Sequence, residues 1–135
     1  VVLRAKLPFL TDYNNARRDA ARKYTAAFAG EEKIITPIVC DSCDCHVFHQ
    51  YTLVIKNADR DGLVKHVQAN NIPCGVYYPI PLHKQKAYAD ERYKEENFTV
   101  TNQLVKECIS LPMHTELDDE QIKFITDRIK EFINR

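Results

Sequence analysis

Residues 46–56 carry apolar, β-branched or aromatic side chains on both alternating faces, and this pattern limits most strongly how the chain can fold. Side chains alternate between the two faces of a strand, so His49 and Gln50 are predicted to point to opposite sides. One face would carry Val47, His49, Tyr51, Leu53 and Ile55, and the other Phe48, Gln50, Thr52 and Val54. A strand that is apolar on both faces needs cover on both sides, which predicts a central position in a sheet.

Apolar residues at helical spacing predict one helix before this strand and one helix after it. The first covers residues 10–28 and ends at Gly30, where a left-handed residue is expected. The second covers residues 59–70 and begins at Asp59, a favoured N-cap. Both helices would place an apolar stripe against the sheet.

The last helix has the clearest start signal in the chain. Asp118 and Gln121 form a capping-box pattern, and an apolar stripe follows it. That stripe consists of Ile122, Ile125, Ile129, Phe132 and Ile133. Strands are also predicted over 34–40, 74–78 and 108–111, and a helix over 101–107. Together these elements predict an α+β fold, in which helices pack on a small, mainly antiparallel sheet.

The composition fits one globular domain. The chain has 135 residues, with 19 Lys plus Arg and 19 Asp plus Glu, so its formal net charge is zero. Proteins that bind nucleic acid usually show a basic excess, so we expect no nucleic-acid partner. No apolar run reaches the ~18–20 residues that a membrane span needs, so we expect no membrane partner. The sequence begins with Val1 and not with Met, and its first residues show no helix cap, so we expect a piece of a longer polypeptide.

The five cysteines bear on location and on metal binding. Their odd number, without a secretory signal pattern, favours reduced thiols and a cytoplasmic location. Cys40, Cys43 and Cys45 lie close together before His46 and His49, and such ligands can hold zinc. A structural zinc site usually has a second ligand pair far along the chain, and none follows. We therefore expect a polar turn without metal, with a metal site as the alternative.

The most unusual segment is GVYYPIPLHKQ at residues 75–85. Pro79 and Pro81 lack N–H donors and predict a stiff loop after a strand end. Tyr77, Tyr78 and His83 combine stacking surface with hydrogen-bonding tips, which suits a polar ring such as a sugar. A packed aromatic strand end is the alternative that the residues leave open.

The sequence contains no complete catalytic set. It has no glycine-rich phosphate loop, no nucleophile elbow and no metalloprotease histidine pair. This absence fits a part of an enzyme better than a whole one.

Three segments together resemble the C-terminal domain of the DegT/DnrJ/EryC1/StrS family of pyridoxal-phosphate-dependent nucleotide-sugar aminotransferases. They are HVFHQYT at 46–52, GVYYPIPLH at 75–83 and LPMHTEL at 111–117. The second is the most specific, and the resemblance covers nearly the whole chain. It implies the small C-terminal domain of the aspartate-aminotransferase fold, fold type I. Residues 1–9 would end the helix that leaves the large domain, and residues 10–135 would form the small domain.

The resemblance implies a transferase whose cofactor, pyridoxal 5'-phosphate, is held by the N-terminal domain. No catalytic or cofactor-binding residue is then expected in this chain, which alone should be inactive. Glutamate is the expected amino donor, and a nucleotide-linked keto-sugar is the expected acceptor. The implied setting is polysaccharide or amino-sugar biosynthesis by a cytoplasmic, bacterial-type homodimer.

By position, Tyr77, Tyr78 and His83 match residues expected near the sugar-nucleotide substrate, and Gln50 is a further candidate. His49 receives no role. Two alternatives stay open. A family member could be a dehydratase or a regulatory protein, and outside the family the chain could be a stand-alone binding module with a cysteine-rich metal site.

Overall fold

The computed structural model describes residues 1–39 and 46–135. A short helix α1 (Val2–Lys6) and a 3-10 turn (Leu7–Phe9) lead into the long helix α2 (Leu10–Ala27). The elements that follow are β1 (Ile34–Ile35), β2 (Tyr51–Ile55), α3 (Arg60–Ala69), α4 (Thr99–Glu107), β3 (Cys108–Leu111) and α5 (Asp119–Ile133). Three 3-10 turns, Leu82–Lys84, Lys86–Tyr88 and Glu95–Phe98, lie between α3 and α4.

The strands form one antiparallel sheet in the order β1-β2-β3. Strand β2 is central, as its two apolar faces predict. Tyr51 pairs with Leu111 and Leu53 pairs with Ile109, so these four residues share one face of the sheet. The predicted α+β fold with a small antiparallel sheet is confirmed.

The core lies between that face of the sheet and three helices. Tyr51, Leu53 and Ile55 are fully or almost fully buried, together with residues of α2, α3 and α5. The ring of Tyr24 in α2 stacks on Tyr51 with centroids 5.0 Å apart, and its hydroxyl donates a hydrogen bond to the carbonyl of Pro112. Helix α2 therefore holds the start of β2 and the end of β3 in place.

The helix boundaries follow from local chemistry, as predicted. The Asp118 carboxylate accepts a 2.7 Å hydrogen bond from the Gln121 N–H, and the Gln121 side chain accepts one of 3.1 Å from the Asp118 N–H. The Asp59 side chain caps α3 by accepting from the Gly62 N–H at 2.9 Å. Such N-caps contribute about 1 kcal/mol each. Gly30, with φ +86°, adopts the left-handed conformation shortly after α2.

The predicted strand at 46–56 is too long, because it begins only at Tyr51. Phe48 has φ +46° and is buried, with its ring centroid 6.2 Å from that of Tyr51. The apolar Phe48 therefore occupies the core position that regular alternation assigns to His49. The prediction that His49 shares a face with Tyr51 is wrong. The strand predicted over 34–40 is likewise formed only at Ile34–Ile35 within the described residues.

The strand predicted over 74–78 is reduced to one bridge. The Gly75 N–H donates to the Ser110 carbonyl at 3.1 Å, and the Ser110 N–H donates to the Gly75 carbonyl at 2.7 Å. This bridge covers the outer edge of β3 and buries Ser110. After Gly75 the chain leaves the sheet, and the ring of Tyr77 folds back over the glycine.

Candidate functional site

A cleft of about 320 Å³ opens where the Gly75 segment meets the ends of β2 and β3. We call it the Gln50–Tyr77 cleft after the two predicted site residues that line it. The other lining residues are His49, Pro73, Cys74, Gly75, Ser110, Leu111, Pro112 and Met113. The structure thus brings together two of the four residues predicted from the sequence.

Tyr77 is held on one side of this cleft. Its ring packs against the Gly75 backbone, so closely that a side chain at position 75 would collide with it. About half of the tyrosine remains exposed, with a relative accessibility of 53%. The ring is thus fixed at one face and available for stacking at its other surface.

The hydroxyl of Ser110, one of the lining residues, already has a hydrogen-bond partner. The Thr52 and Ser110 hydroxyls share a 2.8 Å hydrogen bond across the β2–β3 pair, so they are mutually satisfied. Gln50, two residues before Thr52, is exposed at the rim. The cleft therefore offers the Gln50 amide and the Tyr77 phenol as available polar side chains, beside the imidazole of His49.

His83 lies in a different cavity from Gln50 and Tyr77. Its ring stacks on Phe98 with centroids 4.2 Å apart and an interplanar angle of 11°. Together with Leu82, Tyr88, Tyr93 and Thr101, these two residues line a space of about 340 Å³, here called the His83 pocket. The Nε2 atom of His83 is buried and has no hydrogen-bond partner within residues 1–39 and 46–135. Buried polar atoms are nearly always paired, so this nitrogen is available to a group from outside the described residues.

The loop that contains Pro79 and Pro81 contacts the segment that precedes α4. Lys84 forms an ion pair with Glu95, and this hydrogen bond holds the pKa of the Glu95 carboxyl below its ordinary value. Gln85 donates from Nε2 to the Ile80 carbonyl at 3.5 Å. These contacts add to the stiffness that Pro79 and Pro81 give the loop.

Tyr78 lines neither cavity and is 75% exposed. Its peptide bond to Tyr77 is cis. The two rings meet edge to face, with centroids 6.3 Å apart. Tyr78 could therefore contact a ligand only on a part of it that extends out of the Gln50–Tyr77 cleft.

His49, Cys74 and Met113 are among the cleft residues for which the sequence predicted no role. The pattern of residues 46–56 placed His49 on the same face as Tyr51, and only the bend at Phe48 brings it into the cleft. Cys74 is half-buried, and burial raises the pKa of its thiol. Its Sγ lies 3.9 Å from the Val64 carbonyl, to which it donates.

The cleft chemistry does not fit the phosphate of pyridoxal phosphate. Phosphate sites use arginine, lysine or clustered backbone donors, and neither Arg nor Lys is among the described residues that line the Gln50–Tyr77 cleft or the His83 pocket. The linings of these two cavities favour neutral polar and aromatic groups.

No group of three or more His, Cys, Asp or Glu side chains able to hold a metal ion occurs among the described residues. Cys40, Cys43 and Cys45, the residues of the possible zinc site, lie outside the described residues.

In the part of the chain that the structure covers, no helix has the length and apolar character to cross a membrane.

Comparison with known proteins identifies relatives over nearly the whole chain. The model of the DegT/DnrJ/EryC1/StrS aminotransferase family matches residues 1–130. A pleiotropic regulatory protein of Geobacillus stearothermophilus is 38% identical over 133 residues, which are 97% of this chain and 35% of that protein. UDP-N-acetyl-3-dehydro-alpha-D-glucosamine 3-aminotransferase of Acidithiobacillus ferrooxidans is 36% identical over 134 residues, 99% of this chain and 35% of that protein.

The fold is also similar to that of solved aminotransferases. The crystal structure of S. venezuelae DesV with a ketimine intermediate superposes with a TM-score of 0.89 at 30% identity, covering 99% of this chain and 35% of DesV. The chain thus spans about a third of the length of the relatives that it matches.

Proposed function

Because the chain belongs to the DegT/DnrJ/EryC1/StrS aminotransferase family, we propose that it is the C-terminal domain of a nucleotide-sugar aminotransferase. The enzyme moves an amino group, with glutamate as donor, to a keto-sugar nucleotide in polysaccharide or amino-sugar biosynthesis. It works as a cytoplasmic homodimer. Residues 1–9 lead from the large domain, and residues 10–135 form the small domain.

The observation that carries this proposal is the chemistry of the Gln50–Tyr77 cleft. An exposed aromatic face and an amide converge there without Arg or Lys in the described lining. Aromatic stacking combined with neutral hydrogen-bonding groups suits a hexose ring better than an anion. Relatives whose names specify UDP- and dTDP-linked sugars support the same substrate class.

Each of the four candidate site residues then has a physical task. The ring of Tyr77 stacks on the sugar, and Gln50 hydrogen-bonds a hydroxyl and fixes its orientation. His83 offers its unpaired Nε2 from the neighbouring pocket, and Tyr78 covers the outer side. The stiff loop excludes water and orients the reacting carbon, which lowers the entropic cost of the reaction.

The cofactor, pyridoxal 5'-phosphate, supplies the electron sink for amino transfer. Neither the Gln50–Tyr77 cleft nor the His83 pocket has Arg or Lys in its described lining to hold its phosphate, and the proposal assigns its lysine and its phosphate contacts to the N-terminal domain. No lysine of this chain is assigned to it.

The test of this arrangement is chemical trapping. The complete polypeptide, loaded with pyridoxal phosphate and treated with borohydride, should give one labelled lysine, which peptide mass mapping places outside these 135 residues. The 135-residue chain alone should give no stoichiometric label and no transaminase activity. A stoichiometric adduct at one lysine of this chain would overturn the proposal.

A regulatory role is the second candidate, because the 38% identical relative is named a pleiotropic regulatory protein. A regulator of this family would bind a sugar nucleotide without aminating it. Assaying amino transfer from glutamate to UDP- and dTDP-linked keto-sugars separates the two functions. Binding without any transfer, in a polypeptide that carries the cofactor lysine, would favour regulation.

A further inference from the structure

The segment before β2 turns two neighbouring side chains toward the same cleft. In a regular strand His49 and Gln50 would point to opposite faces. The left-handed φ of +46° at Phe48 sends its own ring into the core and delays the strand until Tyr51. As a result, both His49 and Gln50 line the Gln50–Tyr77 cleft.

Helix α2 fixes this bend through two arginines. Arg17 donates from Nε to the Val47 carbonyl at 3.0 Å, and Arg18 donates from Nε to the His46 carbonyl at 3.2 Å. The His46 Nδ1 atom accepts a 3.0 Å hydrogen bond from the Phe48 N–H. A left-handed conformation at a bulky residue costs about 1–2 kcal/mol, so it persists only where such contacts support it.

Among the hydrogen-bonding side chains that line the cleft, Gln50 and Tyr77 already have a proposed contact with the sugar, whereas His49 has none. The Ser110 hydroxyl is paired with Thr52, and the Cys74 thiol donates toward Val64. The His49 ring is exposed and has no hydrogen-bond partner within residues 1–39 and 46–135. Because Arg and Lys are absent from the described lining, the cleft favours a neutral hydroxyl group over a phosphate.

We propose that His49 is a sugar-contacting, specificity-determining residue, whose ring nitrogen hydrogen-bonds a hydroxyl of the hexose that Gln50 and Tyr77 bind. This inference rests on the proposed function, since it takes a nucleotide-linked sugar as the ligand. Gln50 and His49 would approach the sugar from one side of the cleft, and the ring of Tyr77 from the other.

Calorimetry on the complete polypeptide tests the contact with unreactive probes. UDP-N-acetylglucosamine and dTDP-glucose carry the sugar, whereas UDP and dTDP lack it. The variants are His49→Phe, which keeps a ring without nitrogen, and His49→Asn, which keeps a hydrogen-bonding group. His114→Phe is the matched control, because His114 is exposed and does not line this cleft.

His49→Phe should bind at least one sugar nucleotide roughly 2- to 10-fold more weakly, the effect of one lost hydrogen bond, and should bind UDP and dTDP as before. His49→Asn should recover part of the loss, and His114→Phe should match the parent protein. Unchanged unfolding midpoints would show that the variants are folded. Equal losses for the sugar nucleotides and the free nucleotides, no loss at all, or a parent protein that binds neither sugar nucleotide would overturn the inference.

Amino transfer measured in parallel separates this inference from the proposed function. If the parent protein aminates a keto-sugar nucleotide while His49→Phe binds both probes normally, the role of His49 is wrong and the aminotransferase stands. If sugar binding depends on His49 but no keto-sugar is aminated, the contact stands and the proposed activity is wrong.

Discussion

The ring of Tyr77 lies directly over Gly75, so that a Cβ atom at position 75 would sit 2.6 Å from Cζ and 2.7 Å from Oη of the ring. Real Cβ atoms do not approach other atoms this closely, and the contact is possible only because glycine has no side chain. The bridge between Gly75 and Ser110 fixes the backbone on the other side. Gly75 thus determines where the aromatic wall of the cleft stands.

Substituting Gly75→Ala should therefore push the Tyr77 ring away and destabilise the chain by roughly 1–3 kcal/mol, the usual cost of overpacking. In a Tyr77→Ala background the same substitution should cost much less, because the colliding ring is gone. Urea unfolding of the four proteins in this double-mutant cycle measures the difference. An equal cost in both backgrounds would mean that the backbone of residue 75, and not the ring, requires glycine.

Cys74 offers a chemical reporter of the cleft. Burial raises the pKa of its thiol above the ordinary value of 9.0, so the unreactive protonated form prevails at neutral pH. Alkylation of Cys74 by iodoacetamide, followed by peptide mass mapping, should be slow at pH 7.5 and accelerate as the pH rises beyond 9.

Because the protonated thiol is favoured in the folded state, its contribution to stability is complete below the unfolded pKa and is lost as pH rises through the higher folded pKa. A bound sugar nucleotide should slow the alkylation further, since Cys74 lines the cleft. Fast labelling at pH 7.5 that a ligand does not slow would contradict this placement.

The capping box of α5 should be worth a measurable part of the stability. Asp118→Ala removes the acceptor of the Gln121 N–H and should lower the free energy of unfolding by about 1 kcal/mol. Glu120→Ala, in the exposed first turn of the same helix, is the control and should cost much less. Urea denaturation of both variants compares them, and equal costs would indicate a helix-charge effect in place of the cap.

The helices and the centre of the sheet could be predicted because their signals are local. The stripe from Ile122 to Ile133 and the Asp118 cap need no knowledge of the rest of the chain, and the two apolar faces of β2 require a central position. The bend at Phe48 could not be predicted, since alternation over 46–50 is equally compatible with a strand. In the structure the ring of Phe48 packs near Tyr51 in the core, and His49 is exposed.

Some residues of the candidate site could be named from the sequence, but their arrangement could not. The segment 75–83 predicted that Tyr77, Tyr78 and His83 act together as one group of substrate contacts. The structure separates them, because His83 stacks on Phe98 in the turn before α4, while Tyr77 folds back on Gly75. Such pairings depend on tertiary contacts that the spacing of residues does not encode.

The most direct test of the proposed function compares the two half-reactions of the complete enzyme by rapid kinetics. In His83→Ala, the step with the keto-sugar nucleotide should slow, or its Michaelis constant should rise, by about 2- to 10-fold, the effect of one hydrogen bond. The step with glutamate should change much less, since glutamate needs no sugar wall. His83→Phe, which keeps the stack on Phe98, should show the same selective loss. Equal damage to both steps would point to folding or dimerisation, and an unaffected sugar step would contradict the proposal that this loop binds the sugar nucleotide.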